Sequence, residues 1–188
     1  MCRLSLVVLL FFSLVAPLGA APLVTSMSGI VRSVSDGDTF KLLDGHGQLH
    51  AVRLYGVDAP ELERRSNRTG RLSKAGQPYG EEAFLALNEL LLHKEVRLEV
   101  RAVDRYRRLV ALVYQGDQPI NRLMVQQGLA WAYRQYLDRP HASIFLADEE
   151  LARHKKLGLW RQANPQPPWE FRRRSRSHHS FIRCLYNA

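Results

Sequence analysis

Cysteine is nearly absent from this chain. Cys2 and Cys184 are its two thiols, and they stand at opposite ends of 188 residues. Cys2 falls in a segment with the features of a leader, and its removal would leave Cys184 alone, so no intramolecular disulfide can form. A chain of this length can instead be held by its apolar core, and 46% hydrophobic residues supply one. Acidic residues are also scarce relative to basic ones. The 18 Asp and Glu are outnumbered by 27 Lys and Arg, for a formal charge of +9 and an isoelectric point near 10.0. That deficit favours an anionic partner such as nucleic acid or an acidic membrane surface, and leaves the fold undecided. No internal repeat is visible, which argues against a solenoid.

Long uncharged runs are missing except at the start, where no charge separates Leu4 from Arg32. Arg3 is a short positive region, Leu4 to Val15 is apolar, and Pro17-Leu18-Gly19-Ala20 breaks the pattern with small residues. Residues 1–20 thus read as an export signal cut after Ala20, which implies a secreted or periplasmic protein. The same run is long enough to span a bilayer. An uncleaved anchor holding the protein outside the cytoplasm is the alternative, and the only route by which a membrane enters this reading.

The domain follows at 28–161. Ser28–Ser35, Thr39–Leu43 and Gln48–Val57 read as three strands joined by the turns Asp36-Gly37-Asp38 and Asp44-Gly45-His46-Gly47. Residues 62–78 read as a long exposed loop carrying Arg64, Arg65, Arg68, Arg71 and Lys74. A helix is predicted over Tyr79–His93, with Glu81 and Glu82 in the first turn, where the helix dipole favours them. Glu95–Val103 and Arg108–Tyr114 form a hairpin of two further strands. A short helix ends at Gly128, and another spans Ser143–Leu157. Five short strands with a helix between the third and fourth is the order of an OB-fold barrel, so the fold class is α+β, mainly β, with about three helices. The remainder, 162–188, reads as a linker rich in proline and then a basic tail. Arg172, Arg173, Arg174 and Arg176 form a charge run expected to be disordered when free.

The chemistry is concentrated between Val34 and Glu61. Asp38 and Asp58 sit at strand ends beside turns, and two carboxylates with a backbone carbonyl suit a hard cation such as Ca²⁺. The stretch lacks the Cys ligands, and the clustered His, that zinc prefers. Asp-Gly-Asp is also an ordinary turn. Glu61, fixed by Pro60, can orient or deprotonate a water, or can be a surface charge at a loop start. Arg53 stands among Val52, Leu54, Tyr55 and Val57, where an unpaired guanidinium is seldom placed. It offers a donor fork to a phosphate, or an internal ion pair to one of the same acids. Arg53 and Asp58 are five residues apart, so regular alternation would aim them at opposite faces. Gly56 is where a bulge could bring them together.

The segments DGDTFKL, VRLYGVDAPE, QPYGEEA and DRYRRLVALVY, followed by NRLMVQQGLAW and KKLGLW, resemble in this order the staphylococcal nuclease (thermonuclease) family. The likeness covers about Ser28 to Trp160. It implies a Ca²⁺-dependent phosphodiesterase on an OB barrel, acting on DNA and RNA, single-stranded or in frayed duplex, with little sequence preference. By position it implies Asp38, Asp58 and the carbonyl of Ala59 as metal ligands, and Glu61 as the residue that activates water. It implies Arg53 and Arg108 as the phosphate-binding arginines, Arg105 and Tyr106 at the terminal phosphate, and Tyr136 near the base. The family commonly has glycine at the place of Arg107; register and strand pattern favour Arg108 as the inward arginine. A monomer with no stable protein partner is expected. The alternative function is a non-catalytic OB-fold module that binds nucleic acid.

Overall fold

The computed structural model describes residues 25–175. The export signal expected at 1–20, Cys2, Cys184 and Arg176 lie outside them. No helix among the described residues is long and apolar enough to cross a membrane.

Three strands open the domain: β1 (Thr25–Asp36), β2 (Thr39–Asp44) and β3 (Leu49–Leu54). They form the expected antiparallel meander, with Phe40 opposite Val34 on one side and Val52 on the other. The sequence reading runs the third strand through to Val57. The structure ends it at Leu54 and turns at Tyr55-Gly56, so that Val57–Asp58 becomes a separate strand, β4. Gly56 adopts φ +72° at that turn, in the left-handed region where a side chain is disfavoured. A turn, rather than a bulge within a continuous strand, thus redirects the chain before Asp58.

The stretch expected as an open loop contains a small hairpin, β5 (Arg64–Arg65) with β6 (Leu72–Lys74). Helix α1 (Gly80–Leu91) follows and buries Ala83, Leu87 and Leu91 at helical spacing. Then β7 (Glu95–Val103) and β8 (Leu109–Gln115) pair as an antiparallel hairpin. β7 also pairs with β1, and β8 pairs in parallel with β3, Val52 opposite Leu109 and Arg53 opposite Val110. That last pairing closes β1-β2-β3-β8-β7 into the five-stranded barrel that strand order predicts. The barrel is filled by Val31, Phe40, Leu42, Val52, Leu54, Leu98, Ala111 and Val113, all buried. A short β9 (Gln118–Pro119) leads into α2 (Ile120–Gln126), and a two-residue β10 (Trp131–Ala132) pairs with β4. A 3-10 turn at Arg134–Tyr136, α3 (Arg139–His154) and a second 3-10 turn at Gly158–Arg161 complete the domain.

Two polar devices fix the helices to the barrel. Asn121 is buried; its Oδ1 accepts from the Val113 amide at 2.8 Å, and its Nδ2 donates to the carbonyls of Tyr55 and Ala111 at 2.9 and 3.0 Å. A fully satisfied amide of this kind locks α2 to the end of β3 and to β8. Between α2 and α3, Arg122 forks onto Asp148 at 2.7 and 3.1 Å.

The chain does not leave the domain after Trp160. Gln166 accepts from Gln77 Nε2 through its carbonyl at 2.9 Å, and residues 168–175, here α4, are helical. Trp169 lies parallel to Tyr133, ring centroids 5.1 Å apart, and edge-on to Trp131 at 5.7 Å. The run expected to be disordered therefore begins as a docked helix. Its aromatic residue gives it apolar surface to bury, which a pure charge run lacks.

Candidate active site

One end of the barrel gathers the acids. Asp36, Gly37 and Asp38 form the turn between β1 and β2. At Gly37 a side chain is impossible without movement, because a Cβ would stand 2.7 Å from the β-carbons of both Ala59 and Ala83. The missing side chain lets α1 and the segment after β4 close on the turn. Asp36 then acts as a staple: its carboxylate accepts from the amides of Gly37 and Leu62 at 3.0 and 3.3 Å, and from Lys74 Nζ at 3.4 Å. Burial, with Asp38 close by, raises its pKa above the ordinary aspartate range.

Asp38 and Asp58 face each other across Arg53. The Arg53 Nη2 lies 2.9 Å from Asp38 Oδ2 and 2.7 Å from Asp58 Oδ1. The internal ion pair is therefore formed, with both acids. Burial disfavours the Arg53 cation, but the two carboxylates outweigh it and hold its pKa above the usual value. Asp58 is 0% exposed. Burial pushes its pKa upward and Asp38 adds to that, against the pull of Arg172 and Arg53. The amide of Ala59 lies 3.5 Å from Asp38 Oδ2. Asp38 Oδ1 accepts from the Thr39 hydroxyl at 2.8 Å.

Glu61 follows on the same segment. Its backbone is gripped twice by Gln77, amide to Oε1 at 3.2 Å and carbonyl to amide at 2.8 Å. Its carboxylate meets Lys74 on one side and Arg172 Nη1 on the other, the latter at 2.7 Å. Arg172 from α4 also forks onto Asp58, with Nη1 3.1 Å from Oδ1 and Nη2 2.7 Å from Oδ2. Burial works against the Arg172 cation, yet Asp58 and Glu61 raise its pKa above the ordinary arginine value.

The second arginine arrives from the β7–β8 hairpin. Asp104 accepts from the amides of Tyr106 and Arg108, each at 2.9 Å, and from Arg108 Nε at 2.7 Å. Arg107 takes φ +62° at this turn, which explains why glycine suits that place. Arg107 is exposed and Arg108 half-buried; it is Arg108 that borders the cleft.

That cleft, about 1140 Å³, is lined by Asp38, Arg53, Ala59, Glu61, Arg105, Tyr106, Arg108 and Tyr136, with the buried Asp58 bonded to its lining residues Arg53 and Arg172. The candidate metal, catalytic and substrate-binding residues read from the sequence thus lie in or directly against one cleft. Tyr106 and Tyr136 are mostly exposed, at 63% and 58%, so both rings are open to solvent at the edge of the cleft. The guanidinium of Arg105 lies 4.8 Å from the Tyr106 ring centroid, and that of Arg108 5.5 Å.

Sequence reasoning missed three residues that line the cleft, Lys74, Tyr133 and Arg172. Lys74 looks like any other loop cation, Arg172 like any tail arginine, and Tyr133 like core. Trp169 beside three prolines carried the one available signal, an aromatic in a supposed linker.

Among the described residues, no group of three or more His, Cys, Asp or Glu side chains is disposed to hold a metal ion. The pair Asp38 and Asp58 offers oxygen donors alone, and a cationic guanidinium bridges it. Anionic oxygens that already gather a positive charge fit a hard cation supported by backbone carbonyl and water.

The staphylococcal nuclease homologue family matches residues 51–162. The chain is 38% identical over 151 residues to an "Uncharacterized endonuclease" of Haemophilus influenzae, covering 80% of this chain and 76% of that protein. It is 36% identical over 167 residues to a "Micrococcal nuclease" of Shigella flexneri, covering 84% and 87%. It is 33% identical over 153 residues to an "Uncharacterized endonuclease" of Escherichia coli O157:H7, covering 81% and 89%.

Proposed function

The chain belongs to the staphylococcal nuclease family, and from that premise we propose that it is an exported nuclease that hydrolyses phosphodiester bonds of DNA and RNA with the help of Ca²⁺. The observation that carries the reading is the cleft itself: two guanidinium groups, Arg53 and Arg108, border the same space as the carboxylates of Asp38 and Glu61. Arginines alone would bind a phosphate. Arginines facing a buried carboxylate cluster can bind one and also direct a water at it.

In this reading Asp38, Asp58 and the Ala59 carbonyl hold the cation, which when bound supplies Lewis-acid polarisation of a phosphoryl oxygen. Arg53 and Arg108 donate to the phosphate oxygens, where negative charge grows as water adds. Glu61 accepts a proton from the attacking water or holds it in line; the double grip of Gln77 on its backbone keeps the carboxylate in register. Arg105 and Tyr106 receive a terminal phosphate, and Tyr136 a base, whose face stacks on an aromatic irrespective of sequence. Such contacts read backbone and stacking rather than base edges, consistent with little sequence preference.

Digestion of single-stranded and duplex DNA in Ca²⁺ or in EGTA tests the reading, with product ends typed. Cleavage in Ca²⁺ that stops in EGTA is expected; equal cleavage in both would remove the metal assignment. The Glu61→Gln variant should lose about a hundred-fold or more in turnover while binding nucleic acid normally. Binding without products in the wild-type protein would instead favour the non-catalytic module.

A further inference from the structure

Arg172 reaches the cleft from α4, outside the barrel and helices α1–α3, together with Trp169 and Arg173. It occupies both oxygens of Asp58, at 3.1 and 2.7 Å, and reaches Glu61 at 2.7 Å with the same guanidinium. A fork on a carboxylate is the strongest geometry an arginine has, and Asp58 has no solvent exposure through which a competing partner could approach unhindered. The contact is not an accident of a loose side chain. Pro165, Pro167 and Pro168 stiffen the approach. Gln77 ties the Gln166 carbonyl to the same side chain that grips Glu61. Trp169, one helical turn before Arg173, lies parallel to Tyr133 and edge-on to Trp131, and β10 pairs Trp131 directly with Asp58. The helix is thus seated by apolar contacts beside the acid its arginine bridges.

We propose that Arg172 is a built-in competitor for the divalent cation: in the cation-free protein its guanidinium takes the cation's share of Asp58, and cation binding releases it from that carboxylate. The inference rests on the assignment of Asp58 as a metal carboxylate. Electrostatics favours the exchange. A guanidinium forked on Asp58 and a divalent ion on the same carboxylate would repel each other at close range in a desolvated pocket, where the repulsion is weakly screened. Arg53 cannot make the same exchange as readily, since it emerges from the barrel strand β3, whereas α4 hangs on a linker. The consequence is a cation affinity held lower than the acids alone would give. The protein would then remain idle where divalent cation is scarce and become active where it is abundant.

The test is calorimetric Ca²⁺ titration of the full chain after leader removal, with tryptophan emission followed in parallel. Wild type, Arg172→Ala and Arg172→Lys are compared, each checked for native circular dichroism. Arg172→Ala should bind Ca²⁺ about ten-fold tighter or more, the scale of losing charge-assisted bonds, with Arg172→Lys in between. Wild-type emission should shift on Ca²⁺ addition as Trp169 moves against Tyr133, and the shift should be lost in Trp169→Phe. Equal affinities in wild type and Arg172→Ala would overturn the competition while leaving the metal site standing. Adding Asp58→Asn to Arg172→Ala should abolish binding; calcium bound equally well there would show that Asp58 is no ligand and would overturn both readings.

Discussion

Arg53 lies between Asp38 and Asp58, within 2.9 Å of both, whereas Arg108 folds back onto the half-exposed Asp104 of its own hairpin. Both border the cleft, but their removal should have different consequences. Arg53→Ala takes the shared cation from two buried acids, and breaking a buried pair in this way costs about 3–5 kcal/mol; Arg172 still partners Asp58, which puts the expected loss at the lower end. Arg108→Ala breaks a partly solvated pair, for which about 1 kcal/mol or less is at stake. Under the proposed role of both as donors to developing charge, each should cost about a hundred- to a thousand-fold in turnover. Urea denaturation beside nuclease assays separates the two effects: Arg53→Ala loses stability and activity, Arg108→Ala activity alone. An unstable Arg108→Ala protein would contradict the geometry.

The elements that carry these residues owe their placement to short local devices. Asp138 caps α3, its carboxylate accepting from the His141 amide at 3.3 Å, while the Asp138 amide donates to the Tyr55 hydroxyl at 2.9 Å. The His141 ring beside it holds the Asp138 carboxyl below the ordinary aspartate range. A depressed folded-state value means that the cap contributes its stability above the unfolded pKa and loses it as pH falls through the folded one. Asp138→Ala should therefore cost about 1 kcal/mol at neutral pH and much less in strong acid, so that the two proteins' thermal midpoints converge as pH is lowered. A constant gap across pH would mean that the carboxylate's charge is not what caps the helix.

At the same scale it is clear which elements could be read from the sequence. β7 alternates, β8 is a short apolar run bounded by turns, and α1 repeats Ala83, Leu87 and Leu91, so local pattern suffices for them. β10 is two residues long and has no period to detect. The break at Tyr55-Gly56 shows in the sequence only as a glycine. Asp38, Arg53, Asp58 and Glu61 were legible because one contiguous stretch holds them. Arg108 needed the resemblance, and Lys74 and Arg172 were hidden because a cation in a basic run looks solvated until folding brings an acid to it.

For the molecule as a whole, the parallel pairing of β3 with β8 has a consequence in time. Parallel neighbours cannot be joined by a tight hairpin, and Arg53 meets Val110 only after the whole intervening chain has found its place. Closing so long a loop carries an entropic cost that early local contacts avoid. The meander holding Arg53 and the hairpin holding Arg108 can each form separately. Arg53 and Arg108 share one cleft only once this seam shuts. Refolding from urea should therefore restore far-ultraviolet ellipticity ahead of cleavage, with activity returning in the slowest phase; activity that returned with the earliest ellipticity would disprove this order. A polypeptide still emerging from a ribosome would carry every one of these side chains and yet lack the cleft, because closure of this seam is what assembles it.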